Sequence, residues 1–246
     1  MARPRPVLLM TRPRAASDRF VADLPAALRA RLEVVIAPLV EIRPISTPID
    51  LAPDQAVIFT SSNAVNIAAA LGLTGGRPAF CVGQATNAAA LVAGWQAQCV
   101  GETAEALVAT LSKRHPDHPL CHLRGAHTRG NIVARLREAG WAMRDQVIYE
   151  QVLLPLAPQG QTALAGDRPV IVPLFSPRIV RHFAGLTMAA QAVHVVAISA
   201  AAAAELQDLR PASVTVSQKP DACHMVRAIE TCADRLTRVE GDRGAQ

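Results

Sequence analysis

Short apolar runs, rich in β-branched residues and closed by turn signals, recur along the chain. They predict strands at Val7–Met10, Glu33–Ala37, Ala56–Thr60, Ala79–Val82, Ala97–Val100, Leu120–Leu123, Gln146–Tyr149, Val170–Phe175, Val193–Ile198 and Ser213–Val216. Between most of them apolar residues return at the spacing of one helix face, over Ser17–Arg29, Ala64–Leu71, Thr86–Ala93 and Arg129–Ala139. Strand and helix in alternation predict an α/β fold of parallel sheets covered by helices. Two segments break the alternation: PLVEIRPISTP (38–48) and QVLLPLAP (151–158) are extended, proline-rich and too short for a helix. Proline disfavours helix in the residue before it and has no N–H for a ladder, so both read as linkers.

The pattern also repeats. VIFTSSNAV (57–65) and VPLFSPRIV (172–180) each run from an apolar strand through serine into a helical pattern. An offset of 112 carries Arg12 to Arg124, Phe20 to Ile132, Val21 to Val133, Leu24 to Leu136, and Val35-Ile36 to Val147-Ile148. An offset of 115 carries Ser61 to Ser176, and one of 116 carries Val82-Gly83 to Ile198-Ser199. Order, spacing and pattern together point to a duplicated α/β unit.

Composition narrows the class. The chain has 246 residues, half of them hydrophobic, with 18% charged and 3% aromatic. That describes a folded protein with a large core, as one large domain or two of about 100 residues each. The formal charge of +5, nearly all from arginine, suits acidic partners. Nucleic acid is disfavoured: like charges form no block, and aromatic residues do not interleave with basic ones. The apolar run near the start, Val7–Met10, is too short for a signal peptide, and Val195–Ala204 is about half a membrane span. The expectation is a cytoplasmic chain with no membrane partner. The cysteines at 81, 99, 121, 223 and 232 are odd in number and form no CxxC pair, so they read as buried small residues and not as a disulfide framework.

In open parallel sheets ligands sit beyond the carboxyl ends of the strands. Five turns lie there: Thr11-Arg12-Pro13, Ser61-Ser62-Asn63, Gly83-Gln84-Ala85-Thr86, Arg124-Gly125-Ala126 and Ser176-Pro177-Arg178. Each begins a helix, whose first N–H groups are unpaired and carry partial positive charge. Taken singly, Ser62, Asn63 or Ser176 reads equally as an N-cap worth about 1 kcal/mol. Their recurrence in both halves favours one shared anionic ligand. Neither GxGxxG after a strand nor GxxxxGK[ST] occurs, which argues against a nicotinamide dehydrogenase and a P-loop enzyme. HPDHPLCH, with His115, His118, Cys121 and His122, has only superficial metal-ligand spacing, and no metal is expected. His182 and His194 lack an obvious carboxylate in sequence. Tyr149, the one tyrosine, closes a strand before a linker; its phenol either donates a proton into a cleft or packs locally.

The succession TRP (11–13), FTSSNAV (59–65), CVGQAT (81–86), LRG (123–125), VIYE (147–150), LFSP (174–177) and AIS (197–199) resembles the uroporphyrinogen-III synthase family, over about residues 7 to 230. The resemblance implies two similar five-stranded parallel-sheet α/β domains, joined by a two-stranded linker, with a ligand cleft between them. One domain is then 1–37 plus 159–246 and the other 49–149, with linkers at 38–48 and 150–158. The implied reaction closes hydroxymethylbilane, a linear tetrapyrrole polycarboxylate, to uroporphyrinogen III with ring D inverted and water lost. It implies no cofactor and no further partner, and nothing in the sequence indicates an oligomer. Tyr149 matches the family's strand-end tyrosine and becomes the expected proton donor to the departing hydroxyl. Thr11, Arg12, Ser61, Ser62, Asn63, Gly83, Thr86, Arg124, Gly125, Ser176, Pro177 and Ser199 match turns expected to meet the substrate. Two positions depart from the pattern: AISAAAAAEL has Ser199 for glycine and alanine for threonine, and LFSP has Phe175 where threonine is usual. On the residues alone, a non-catalytic two-domain sensor or binding protein for a small polyanion, or a sugar-phosphate enzyme, remains an alternative.

Overall fold

The computed structural model describes residues 5–73, 76–115, 117–127, 130–186, 192–207 and 209–243. The chain forms two compact units, Met1–Glu41 with Leu153–Gln246 (unit 1) and Ile42–Val152 (unit 2). Among the described residues no helix is long and apolar enough to cross a membrane.

Unit 1 is built on a five-stranded sheet. Its strands are β1 (Val7–Met10), β2 (Glu33–Ile36), β9 (Val170–Leu174), β10 (Val193–Ala197) and β11 (Ser213–Val216), in the order β2-β1-β9-β10-β11. Every pairing is parallel, as in Leu9 with Val35 and Val195 with Val172. A strand covered on both faces is apolar throughout, and β1 shows why. Val7 and Leu9 join one core with Val172, Phe183 and Val195, and Leu8 and Met10 join the other with Phe20, Ile171 and Ile229. Helices α1 (Arg14–Ala22), α2 (Ala26–Ala30) and α10 (Ala222–Arg243) supply residues to the second core; α7 (Pro158–Ala165), α8 (Pro177–Leu186) and α9 (Ala200–Ala203) supply the first.

Unit 2 repeats the plan. Strands β4 (Ala56–Phe59), β5 (Pro78–Val82), β6 (Gln96–Gly101), β7 (Leu120–Gly125) and β8 (Met143–Leu153) are parallel, and β3 (Val40–Pro44) edges the sheet in the order β3-β8-β7-β4-β5-β6. Helices α3 (Ser62–Ala70) and α4 (Gln84–Val92) cover the face holding Val57, Phe59, Cys121 and Leu123; α5 (Ala104–Leu111) and α6 (Ile132–Glu138) cover that of Ile58 and Leu120. The two strand orders coincide when β1 is laid on β7, β2 on β8, β9 on β4 and β10 on β5. Those are the pairs joined by the sequence offsets. Each sheet thus combines strands from both copies of the repeat.

Several expectations need correction. The sheets have five and six strands, not five each. The extra strand, β3, lies in the stretch read as a linker, and the four-residue strand at Tyr149 is the middle of an eleven-residue strand, β8. Leu154 N–H bonds to Leu39 O at 2.9 Å and Ile45 N–H to Ile148 O at 3.0 Å, so the two run antiparallel. Proline misled here because β3 is an edge strand, where a missing donor costs no ladder bond. The helix expected over Ser17–Arg29 is two helices, because Pro25 caps the start of α2 and cannot sit inside a helix.

Inside unit 2, His122 on β7 is 2% exposed, with Nε2 3.1 Å from Thr60 Oγ1. Burial first, then the Arg124 charge, push its pKa down to about 4, against an opposing pull from Asp145. The folded protein therefore keeps this ring neutral where the unfolded chain protonates it. Its contribution to stability is whole above about pH 6.5 and is lost as pH falls toward about 4. Urea unfolding at pH 7 and pH 4.5 should show a loss larger by roughly 2 kcal/mol in the wild type than in His122→Gln. Equal losses would show that His122 does not drive the dependence.

Candidate active site

Because β4, β5 and β7 are parallel neighbours, their carboxyl ends bring three turns to one edge of unit 2. Ser61 caps α3: its Oγ accepts from Asn63 N–H at 3.2 Å. Ser62 and Asn63 form the first turn of that helix. Beyond β5, Gly83 precedes α4 with φ +79°, a left-handed backbone that favours glycine, and its N–H goes to Gly101 O at 2.8 Å. The unpaired amides here are those of Gln84, Ala85 and Thr86 in the first helical turn, where a helix has no acceptor for them. The Thr86 side chain is 7% exposed and turned into the protein, so its contribution to the rim is its backbone.

Tyr149 lies level with the end of β7, in register with Gly125, although β8 runs on to Leu153. It is 4% exposed and shares a core with Phe59 and Leu123. A Cβ on Gly125 would meet the Tyr149 ring at 2.6 Å, so glycine is what lets the ring lie over the backbone. The phenol hydrogen-bonds Ser61, and burial, partly offset by that bond, raises its pKa above the ordinary tyrosine value. A phenol so placed is protonated at neutral pH and is a donor, not a base. Arg124 pairs with Asp145 and donates to Gly125 O at 3.0 Å, so its charge is already met within unit 2.

The edge of unit 1 collects the turns after β1, β9 and β10, again neighbours. Ser176 and Ser199 are caps, their Oγ atoms accepting from Ile179 N–H at 3.3 Å and Ala202 N–H at 3.2 Å. Pro177 opens α8 and brings no N–H, so it supplies shape and not a donor. Thr11 is 1% exposed, its side chain inside and its carbonyl bonded to Leu39 N–H at 2.9 Å, which removes it as a contact. Arg12 keeps its place on the rim. Its guanidinium lies over the Phe175 ring, 4.3 Å from the centroid, and 6.0 Å from that of Phe20.

Sequence reasoning missed Asp145 as the partner of Arg124 and the two rings under Arg12. Both pairings join residues far apart in the chain that meet only across adjacent strands. It also missed Asn87, whose buried Oδ1 has no partner. In HPDHPLCH, Cys121 and His122 fall on successive positions of β7 and so on opposite faces; Pro116 lies outside the described residues, among which no group of three or more candidate ligands could hold a metal.

The fold and its rims define a two-unit α/β protein whose caps and amides gather beyond the carboxyl ends of parallel strands. The sequence profile of the uroporphyrinogen-III synthase HemD family matches residues 23–227. Uroporphyrinogen-III synthetase from Helicobacter pylori 26695 superposes with a TM-score of 0.65 at 20% identity, over 95% of this chain and 100% of that one, which speaks for the fold. A mutant uroporphyrinogen III synthase from the extremely thermophilic bacterium Thermus thermophilus gives a TM-score of 0.49 at 14% identity, over 96% and 100%. No curated protein matches the chain. The chain belongs to the uroporphyrinogen-III synthase family, and so to the cyclising lyases of haem biosynthesis.

The packing of Tyr149 on Gly125 predicts a coupled pair. Gly125→Ala should cost about 1–3 kcal/mol by overpacking, and much of that cost should vanish beside Tyr149→Leu. Urea unfolding of both single variants and the double variant measures the coupling; additivity within about 0.5 kcal/mol would show that the ring is not what the glycine accommodates.

Proposed function

We propose that this chain closes hydroxymethylbilane to uroporphyrinogen III by gripping the substrate's carboxylates with the strand-end rims of both units, while Tyr149 protonates the departing hydroxyl. The observation that carries the reading is the family match over residues 23–227. Supporting it, the motifs other than VIYE, which lies within β8, fall at carboxyl strand ends, where helix starts attract anions. Ser61, Ser62 and Asn63, the amides after Gly83, and the starts of α8 and α9 at Ser176 and Ser199 are the proposed donors. Arg12 adds a full positive charge. The domain division implied by the resemblance, 1–37 plus 159–246 and 49–149 with linkers at 38–48 and 150–158, is part of this reading.

The reaction proposed for the site balances without a cofactor. The bond between the terminal carbon and its hydroxyl breaks; the oxygen leaves as water with the phenol proton of Tyr149, and the pyrrole nitrogen stabilises the resulting azafulvenium cation. The substituted carbon of ring D attacks that cation. The spiro intermediate fragments and recloses with ring D inverted, and the proton lost on aromatisation balances the one given by the phenol. The raised pKa of Tyr149 supports this role, since the group is protonated when substrate arrives. What the protein adds is mainly orientation, which holds the inverted closure ahead of the direct one.

A coupled assay with freshly made hydroxymethylbilane tests the reading. The type III isomer should dominate, and type I alone, as in buffer, would reject it. Tyr149→Phe should lower kcat at least about tenfold with melting temperature nearly kept; unchanged kcat would remove Tyr149 from the mechanism. Changing both Ser61 and Ser176 to alanine should weaken binding of the cyclic product, beside a stability loss of about 1 kcal/mol per cap. An unaltered Kd would count against these turns.

A further inference from the structure

The arginines at the carboxyl ends of equivalent strands, Arg12 just past β1 and Arg124 near the end of β7, differ in what answers their charge. Arg124 is paired with Asp145. Arg12 has no carboxylate partner among the described residues; the charged group that bears on it is Arg19, of the same sign. It is also largely withdrawn from water, and burial, then Arg19, lower its pKa. A desolvated cation without a counter-ion is costly, and an anion bound from outside would relieve this one.

What holds it there is a pair of aromatic rings. Phe175 lies under the guanidinium, and Phe20 meets Phe175 edge to face, with centroids 5.1 Å apart and an interplanar angle of 80°. Phe20 is buried and Phe175 packs against the same core, so the platform is fixed. A guanidinium held over a ring keeps the N–H groups of its rim for a carboxylate, which it can receive with two parallel bonds. β1 and β9 are paired, so this receiver stands beside the Ser176 cap.

We propose that Phe175 is a positioning residue that presents Arg12 as a two-pronged receiver for one substrate carboxylate. The proposal rests on the synthase reading. Steady-state kinetics with hydroxymethylbilane on the wild type, Phe175→Leu, Phe175→Tyr and Arg12→Lys test it, with melting curves for each. Phe175→Leu should raise KM about 3- to 30-fold, the range of a partly desolvated cation–ring contact, with kcat nearly kept. Phe175→Tyr, which keeps the ring, should stay within about threefold of the wild-type KM. Arg12→Lys, with one point charge and no fork, should raise KM at least as much as Phe175→Leu. A wild-type KM in Phe175→Leu, or equal defects in the tyrosine and leucine variants, would overturn the proposal. If Phe175→Leu fails to fold, Arg12→Lys decides, and an unchanged KM there overturns it equally. A wild type that yields only the type I isomer would instead defeat the synthase reading itself.

Discussion

The interaction on which the rest depends is the one between a helix start and whatever lies beyond it. Within each sheet the parallel strands deliver the chain to one edge, and the helices after β1, β4, β5, β9 and β10 begin there with amides they cannot pair internally. Parallel pairing therefore does two things at once. It buries strands such as β1 and β4 on both faces, and it lines up the turns after β1, β9 and β10, and after β4, β5 and β7. Replacing the parallel order with hairpins would scatter the same serines and glycine over two edges. The donor rim is a consequence of topology more than of any single motif, which is why no nucleotide or phosphate signature accompanies it.

Within that frame the two halves have diverged in their polar details. The rim of unit 2 is self-contained: Arg124 is neutralised by Asp145, and the phenol of Tyr149 is tucked over Gly125 and held by Ser61. The rim of unit 1 leaves Arg12 on its two rings with no acid beside it among the described residues. One half thus offers a neutral proton donor and the other an unmatched cation.

The sequence made the strands legible because each is apolar through its length and closed by a turn; Val7–Met10 and Ser213–Val216 have the bounds expected of them. The duplication was legible for the same reason, since strand and cap recur at nearly constant offsets. What stayed hidden was set by tertiary pairing. Pro44 concealed β3, whose edge position makes the proline harmless. Thr11 read as a rim residue and is core, because β1 carries the burial pattern one residue past its end. No spacing rule joins Arg12 to Phe175 or Arg124 to Asp145, because those pairs form only when separated strands become neighbours.

The central claim is that the anionic substrate is met by backbone amides beyond the strand ends. Amide NMR shifts of the labelled protein, followed as the reduced cyclic product is added, test it most directly. The largest changes should fall at Ser62 and Asn63, at Gln84 to Thr86, and at Ala200 and Ala201. Changes confined to another surface, such as the pocket beside Thr215 and His224, with those amides unmoved, would contradict it.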